Sequence, residues 1–457
     1  MSRTPTAIVG STAAQIADLV RAGEASPTDV VRAHLEQIDR VNPRLNAFQV
    51  VRGDRAMAEA KALGRRRGTL GDLPLAGVPV AIKDNVPVAG EPMRDGSPAT
   101  TEAPRAEDHA VVARIRAAGG IVIGMTRVPE LCIWGTTDGP WGITRNPWDP
   151  SRTPGGSSGG SGAAVGSAMA PVAHGNDGMG SIRIPSASCG LVGIKPGVGL
   201  IPWGDQASEW FEQAQHGSIA TTVEDCARLL SVMADRPELA RVKRARKGLR
   251  FAVSVKSPLL GVTVDAEWKG AARSTAELLA GAGHSVHDAD PPYTTRNLLG
   301  NVLRWYGGVW EDARELDWAR LQRRTRGHAR AGRVAIKRGW IKPQQREAWR
   351  AALEPLFEAH DVLLTPTLAQ VPIRAAAWDR RAWAANLIAN SRYAPFAAPW
   401  NFAGYPAMAV PAGMHSKGVP LSVQLVTKPG GEGLLLSVAA LLEKLRPWPR
   451  HAPIAQA

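Results

Sequence analysis

The chain has 457 residues, of which 44% are hydrophobic, and this is ample apolar material for a large buried core. Its formal net charge is +14, and its three cysteines lie far apart. Scattered cysteines argue against a disulfide scaffold and a thiolate zinc site, and they fit a reducing compartment. No apolar run approaches the ~20 residues that span a bilayer, and the first residues lack a secretion-signal pattern. We therefore expect a soluble, cytoplasmic protein with no membrane partner.

The positive charge is concentrated in two segments, residues 241–250 and 320–350. A basic face attracts polyanions, but neither segment lies within a recognisable nucleic-acid module. We interpret both segments as solvated helix faces and expect no nucleic-acid partner.

The first strong element is a helix that begins at Pro27, with Ser26 as its N-cap. Asp29 lies where the helix dipole favours an acid, and Pro43 is expected to end the helix. An apolar, β-rich run then ends at Lys83. Further patterns predict strands at 121–123, 249–255, 361–367, 406–413 and 421–426, and helices at 108–118, 271–282, 297–358 and 434–445. This alternation predicts a parallel or mixed sheet covered by helices.

A run rich in glycine and serine, residues 153–185, admits several interpretations. A Walker phosphate loop needs a lysine followed by serine or threonine, and this run contains no lysine. A nucleophile elbow at Ser158 would match G-x-S-x-G, but turn-forming residues precede it where that fold has a strand. A flexible linker does not fit the apolar segment AAVGSAMAPVA inside the run. The remaining interpretation is a serine hydrolase whose base is a lysine.

A serine hydroxyl is a poor nucleophile near neutral pH unless a neighbouring base takes its proton. Lysine can act as that base only when it is neutral, so its pKa must fall through burial or nearby positive charge. Lys83 ends an apolar predicted strand that can bury its stem. The glycine-rich stretch 178–181 can turn several backbone N–H groups towards one point, as a developing oxyanion needs.

The residues TRNPWDPSRTPGGSSGGSGAAV, followed by GNDGMGSIRIPSASCGLVGIKP, resemble the amidase signature family. The resemblance extends to the closing segments PAMAVPAG and LLLSVAALLE, and so covers nearly the whole chain. It implies a single-domain α/β/α sandwich over residues 1–457, with a large, mixed, twisted sheet and a signature core at 78–200. It also implies cleavage of a C–N amide-type bond through an acyl-enzyme, with no metal and no cofactor.

The resemblance assigns the family's catalytic groups to Lys83, Ser157 and Ser181. Ser181 would be the nucleophile, Ser157 the proton shuttle on a cis peptide bond, and Lys83 the terminal base. The backbone N–H groups of the oxyanion hole would belong to Gly178, Met179, Gly180 and Ser181. The residues that brace this loop would be Ser158, Asp177 and Arg183.

The loop GNDGMGS departs from the family's commonest G-T-D-x-G-G-S at Asn176, Gly178 and Met179. Similar GND loops occur in the branch that includes cyclic nylon-dimer hydrolases and aryl-amide and urethane-cleaving amidases, so the loop indicates that branch. Met179 narrows the conformations of the loop, although every residue here keeps its N–H. His174 lies near the loop, but with the triad complete we interpret it as a packing residue.

Fifteen tryptophans, against six phenylalanines and four tyrosines, indicate an aromatic-rich interior or cleft. A helical insert at 297–358 is expected to border the substrate pocket. We expect the pocket to contain Ile133, Trp134, Trp305, Trp310, Thr367 and Trp400. Rings that converge on one cleft favour an aromatic or long apolar amide, anilide or carbamate. The expected partner is thus a small-molecule amide or carbamate, and a homodimer is left open.

Two alternative functions stay open. The family includes the glutaminase-type subunit of tRNA amidotransferases, which the basic charge would suit. That subunit usually reads S-I-R-Q-P after the nucleophile, whereas Ile184 stands at the Gln position here. The other alternative is an esterase or carbamate hydrolase for which amide cleavage is secondary.

Overall fold

The computed structural model describes residues 8–204 and 209–456. Within these ranges the α-helices are α1 (Ala13–Arg21), α2 (Pro27–Leu45), α3 (Gly53–Gly64), α4 (Ala110–Ala117), α5 (Gly159–Gly166), α6 (Arg183–Cys189), α7 (Val223–Ala234), α8 (Ala266–Gly281), α9 (Thr295–Ala313), α10 (Arg323–Lys337), α11 (Pro343–Ala359), α12 (Trp383–Tyr393), α13 (Ala398–Ala403) and α14 (Glu432–Leu445). The strands are β1 (Phe48–Val51), β2 (Pro79–Lys83), β3 (Ile121–Thr126), β4 (Asp138–Gly139), β5 (Gly142–Ile143), β6 (Val172–Asp177), β7 (Val192–Lys195), β8 (Gln215–Ala220), β9 (Arg250–Val253), β10 (Ser285–Asp288), β11 (Val362–Pro366), β12 (Ala407–Met414) and β13 (Pro420–Val426).

Eleven of these strands form one sheet, in the order β1-β3-β2-β6-β8-β7-β12-β13-β11-β9-β10. Strand β2 is parallel to both of its neighbours, β3 and β6, and β9 is parallel to β10 and β11. The other neighbouring pairs are antiparallel, so the sheet is mixed, as the sequence predicts. Strands β4 and β5 pair separately as a short antiparallel ribbon.

Helices cover both faces of the sheet, and the side chains of β2 show how. Val80 and Ile82 pack into a core cluster that includes residues of α4 and α7. Ala81, between them, packs into a second cluster with residues of α2 and α5. Successive side chains of a strand point to opposite faces, so this division identifies two covered faces. The predicted α/β/α sandwich is confirmed.

Helix α2 has the predicted start and a different end. The Asp29 N–H donates to the Ser26 hydroxyl at 3.1 Å, so Ser26 caps the helix as predicted. The predicted stop at Pro43 is wrong, because α2 continues to Leu45 and ends at Asn46 in the left-handed conformation. Within the last turn a proline removes only one hydrogen bond before the chain turns away, so it is tolerated there.

The segment 297–358, predicted to be helical, is divided among the three helices α9, α10 and α11. Helices α9 and α10 pack against each other, and α9 also contacts α11 and α13. No helix in residues 8–204 and 209–456 is long and apolar enough to cross a bilayer.

Candidate active site

The candidate site lies where two neighbouring strands end. Lys83 is the last residue of β2, and Asn176 and Asp177 are the last two residues of β6. Because β2 and β6 are parallel neighbours, their carboxyl ends meet at the same edge of the sheet. Ser157 reaches this edge from the segment before α5, and the peptide bond between Gly156 and Ser157 is cis.

The Lys83 amine has three hydrogen-bond partners. Its Nζ lies 2.8 Å from Ser157 Oγ, 3.2 Å from the Asn176 carbonyl oxygen and 2.5 Å from Asn176 Oδ1. The side chain is fully buried, and this burial lowers the pKa of Lys83 from its usual value. A neutral amine has two N–H donors and one lone pair, and the two Asn176 oxygens can only accept. In that neutral form the lone pair is left for Ser157, whose hydroxyl can donate to it, whereas the ammonium form donates all three bonds.

Asn176 is a site residue whose contact with the lysine the sequence analysis did not predict. Its Nδ2 donates to Asn85 Oδ1 at 2.8 Å, and this bond fixes the amide so that Oδ1 faces Lys83. The sequence marks Asn176 only as a departure from the commonest loop. Its one sequence signal is an amide side chain next to Asp177, which does not indicate a bond to Lys83.

Ser181 lies in the turn between β6 and α6 and lines the same cavity as Ser157. Among the described residues its hydroxyl has no hydrogen-bond partner, so it is not bonded to Ser157 in this conformation. The two serine segments are joined through the backbone instead, since the Ser158 N–H donates to the Ser181 carbonyl at 3.2 Å. Ser158 Oγ also donates to the Asn176 carbonyl at 3.3 Å. The structure thus brings Lys83 and Ser157 into direct contact and Ser181 to the same cavity wall.

Asp177 and Arg183 form a buried ion pair beneath the loop. Arg183 Nε and Nη2 each donate to the Asp177 carboxylate at 2.9 Å, and both side chains are 0% exposed. Burial alone would raise the pKa of Asp177, but the Arg183 guanidinium outweighs burial and holds this pKa well below its usual range. Arg183 also donates to the Ala397 carbonyl and to the side chains of Asn401 and Gln424. The start of α6 is therefore tied to distant parts of the chain.

The loop amides differ from the predicted oxyanion hole at one position. The Gly180 N–H donates to Asp177 Oδ1 at 2.7 Å, so it is already engaged by the carboxylate. This corrects the prediction for Gly180. The N–H groups of Gly178, Met179 and Ser181 have no acceptor among the described residues. Gly180 is instead needed for the backbone conformation of the loop, because its φ is +121° and a Cβ here would lie 2.6 Å from the Ala397 Cβ.

Two cavities meet at Ser181. The larger, of about 570 Å³, is also lined by Ser157, Asn176 and several charged side chains. The smaller, of about 140 Å³, is lined mainly by apolar side chains, including Met179 and Ile184. Within residues 8–204 and 209–456, Ser181 is the one residue that lines both.

Three of the predicted pocket residues line the smaller cavity, namely Ile133, Trp134 and Trp305. The rings of Trp134 and Trp305 meet edge to face, with centroids 6.0 Å apart. Both tryptophans are buried, and Trp305 belongs to α9, so the helical insert contributes to this wall.

The other three predicted pocket residues, Trp310, Thr367 and Trp400, line neither cavity, which corrects the prediction. Trp310 follows Trp305 on α9 by five positions, about 140° around the helix, and therefore lies on another face. The Thr367 hydroxyl lies 3.0 Å from Ser422 Oγ inside the sheet layer. Trp400 is buried in a separate apolar cluster with residues of α11.

Two further groups of the larger cavity, Asp95 and Cys132, were not predicted. The Cys132 thiol lies 3.3 Å from Asp95 Oδ1 and donates to it. Burial raises the pKa of Asp95 to about 7 and raises the pKa of the Cys132 thiol. Both residues lie outside helices α1–α14 and strands β1–β13, so no hydrophobic periodicity pointed to them.

His174 is buried on β6, and its Nε2 lies 3.0 Å from His216 Nδ1. A separate group, Asp265, Glu267 and His415, brings possible metal-ligand atoms close together near the start of α8. Asp265 caps α8 and Glu267 accepts two bonds from Ser416, so these oxygens already have protein donors.

The comparisons with known proteins agree with this fold. The Amidase family profile matches residues 29–436. The chain is 38% identical to "Putative amidase AmiB2" of Mycobacterium tuberculosis (strain ATCC 25618 / H37Rv), over 98% of this chain and 99% of the relative. It is 34% identical to the 6-aminohexanoate-cyclic-dimer hydrolase of Paenarthrobacter ureafaciens, over 96% of this chain and 95% of the relative. A solved structure of a 6-aminohexanoate cyclic dimer hydrolase with its substrate matches with a TM-score of 0.85 and 31% identity, covering 98% and 99% of the two chains.

The fold and these likenesses define an amidohydrolase, an enzyme that cleaves amide bonds. The chain belongs to the amidase signature family.

Proposed function

We propose that this amidohydrolase works through an acyl-enzyme on Ser181, with Ser157 as proton shuttle and Lys83 as base. Ser181 Oγ attacks the amide carbon while its proton passes through Ser157 to Lys83. The proton is then delivered to the leaving nitrogen, the C–N bond breaks, and the amine departs. Water attacks the ester, and its proton follows the same route before it returns to Ser181 Oγ as the acid is released.

The observation that carries this proposal is the hydrogen bonding of Lys83. Its two acceptor-only contacts with Asn176 occupy the N–H groups of a neutral amine and leave the lone pair to Ser157. Burial lowers the pKa of Lys83 and so favours the neutral form that a general base needs. The proposed relay requires the Ser181 hydroxyl to turn towards Ser157, which lines the same cavity.

The unengaged N–H groups of Gly178, Met179 and Ser181 are the proposed donors to the oxyanion. Fixed amide donors stabilise developing negative charge without reorganising during the reaction. The proposed role of Asp177 and Arg183 is to hold the loop, because Asp177 accepts from the Gly180 N–H next to these donors.

The proposed substrate is an aromatic or long apolar amide, anilide or carbamate. The support is the smaller cavity, whose walls include the buried rings of Trp134 and Trp305. The named relatives fit an amide substrate, since one is a hydrolase of a cyclic amide dimer. The three cysteines, all buried and free, support a reducing, cytoplasmic setting.

The test is a substrate screen with the purified full chain over short aliphatic amides, aromatic and long apolar amides, anilides, aryl carbamates and esters. A fluorophosphonate probe, read by peptide mass spectrometry, reports which serine is acylated. We expect label on Ser181 and turnover of the aromatic or apolar members. Label on another serine, or turnover limited to short aliphatic amides, would contradict the proposal.

A further inference from the structure

Ser181 separates two cavities with different linings: the larger combines charged side chains with apolar ones such as Leu131, Trp203 and Trp210, and the smaller is mainly apolar. The charged side chains on the larger cavity are Asp95, Arg105, Asp312, Glu315 and Arg320. The smaller cavity is lined by Ile133, Trp134, Ile184, Leu298, Val302 and Trp305, among others. A substrate whose carbonyl carbon lies at Ser181 Oγ must extend one half into each cavity, so the two halves meet different surroundings.

The proton relay decides which half enters which cavity. Ser157 lines the larger cavity and is absent from the described lining of the smaller one. Lys83 reaches the substrate only through Ser157, to which it is bonded at 2.8 Å. The leaving nitrogen must lie within hydrogen-bond reach of the group that protonates it. That nitrogen, and the amine substituent attached to it, therefore belong on the side of Ser157.

We infer that the smaller, apolar cavity binds the acyl half of the substrate and the larger cavity, which carries the charged side chains, binds the amine half. This inference rests on the proposed function, because it uses Ser157 as the proton donor to the leaving nitrogen. It narrows the substrate class to amides of a compact aromatic or branched apolar carboxylic acid, whose amine half faces the charged side chains of the larger cavity.

The two halves of the substrate leave the enzyme at different steps of the reaction. When the Ser181 Oγ–carbon bond forms and the C–N bond breaks, the amine takes up the relayed proton and leaves through the larger cavity. The acyl group stays on Ser181, within the smaller cavity, until water replaces the serine oxygen. A side chain that touches the acyl half therefore affects both acylation and deacylation. A side chain that touches only the amine half acts mainly on acylation, because during deacylation only water occupies its cavity.

The first test compares two isomeric amides on the wild-type enzyme. N-(2-hydroxyethyl)phenylacetamide carries its ring on the acyl side, and N-(2-phenylethyl)glycolamide carries it on the amine side. Because burial of a phenyl ring favours the apolar cavity, we expect kcat/KM to be higher for the first isomer by at least about tenfold. Equal values, or a preference for the second isomer, would overturn the inference.

The second test fills each cavity in turn with the variants Val302→Trp and Leu316→Trp. Val302 lines the smaller cavity and Leu316 the larger, and both side chains are partly buried. The enzyme is acylated with p-nitrophenyl phenylacetate, and intact-protein mass spectrometry follows the loss of the phenylacetyl group. We expect Val302→Trp to change this deacylation rate by at least about threefold and Leu316→Trp to change it less, while Leu316→Trp slows acylation by the hydroxyethyl amide.

Fluorophosphonate labelling shows whether each variant is folded, and Val302→Phe replaces Val302→Trp if labelling is lost. A deacylation rate altered by Leu316→Trp but not by the Val302 variant would reverse the assignment. Failure of the proposed function looks different, because Ser181 would then carry no phenylacetyl group in the wild-type enzyme.

Discussion

At the scale of single residues, the proposed lysine base predicts the pH dependence of the reaction. As the proposed base, Lys83 would be active only when neutral, so kcat/KM should rise with pH through its pKa, which burial lowers from the usual value. Asn176→Asp places a carboxylate against the amine, stabilises the ammonium form and raises that pKa. We expect the rising limb of the pH–rate profile to move to higher pH in this variant.

The matched control is Asn85→Asp, which adds the same charge one hydrogen bond further from Lys83. Its rising limb should move less than that of Asn176→Asp. A profile unchanged by Asn176→Asp would exclude Lys83 as the group that controls the rate.

The proposed relay predicts a loss of turnover whose size depends on which group is removed. Ser181→Ala should abolish turnover because no nucleophile is left. Lys83→Met keeps the length and burial of the side chain but removes the base, and should lower kcat by about 10²–10⁴-fold. Thermal unfolding of both variants checks that the fold is retained. Near wild-type turnover in either one would refute the triad.

The residues of the candidate site could be predicted from the sequence where they belong to a motif. They could not be predicted where their role depends on a contact between positions far apart in the chain. Lys83, Ser157 and Ser181 follow from the resemblance of the Gly/Ser run and of the strand before it. The bond from Asn176 to Lys83 joins two strands 93 positions apart, and no local pattern reveals it. Likewise, no sequence pattern reveals that the Gly180 N–H donates to the Asp177 carboxylate.

At the scale of elements, the turn from β6 into α6 depends on one buried ion pair. Arg183→Met would leave the Asp177 carboxylate buried without its partner, and should lower the free energy of unfolding by about 3–5 kcal/mol. Arg32→Met is the matched control, since Arg32 pairs with Asp29 at 2.8 Å where both side chains are largely exposed. Arg32→Met should lower the free energy of unfolding by less than about 1 kcal/mol. Urea unfolding measures both, and equal losses would argue against the bracing role.

Helix α5 contains several glycines, and at Gly160 two other backbone segments approach the helix closely. A Cβ at Gly160 would lie 2.5 Å from the Ala47 carbonyl oxygen and 2.5 Å from the Arg127 nitrogen. Gly160→Ala should therefore lower the free energy of unfolding by at least about 1–3 kcal/mol. Gly270→Ala, on the exposed side of α8 with nothing within 4 Å, should raise it by about 0.4–1 kcal/mol. Losses of similar size in the two variants would show that close packing is not the reason for Gly160.

Elements rich in apolar and β-branched residues were predictable, and several central ones were not. Strands β3, β11 and β13 lie within about three residues of their predicted bounds at either end, and β2 ends at Lys83 as predicted. The central strands β6 and β8 read VAHGND and QHGSIA, which have low intrinsic strand preference. Pairing within the sheet, rather than local preference, makes these segments strands.

At the scale of the whole molecule, the sheet predicts a single unfolding transition. Strands β1–β8, from the first half of the chain, join β9–β13 through the pairing of β7 with β12. The hydrogen bonds of Arg183 to Asn401 and Gln424 also connect the candidate site to the second half of the chain. We expect far-UV circular dichroism, tryptophan fluorescence and fluorophosphonate labelling to be lost at the same urea concentration. Loss of labelling at clearly lower urea would indicate that the site melts separately.

The junction between β7 and β12 also bears on when the enzyme becomes active during its synthesis. Lys83, Ser157 and Ser181 leave the ribosome before the Arg183 partners Asn401 and Gln424, which lie 218 and 241 residues after Arg183. A nascent polypeptide therefore carries the proposed nucleophile before it has the support that shapes the loop. Reactivity towards acylating compounds should begin only after residue 424 has been synthesised.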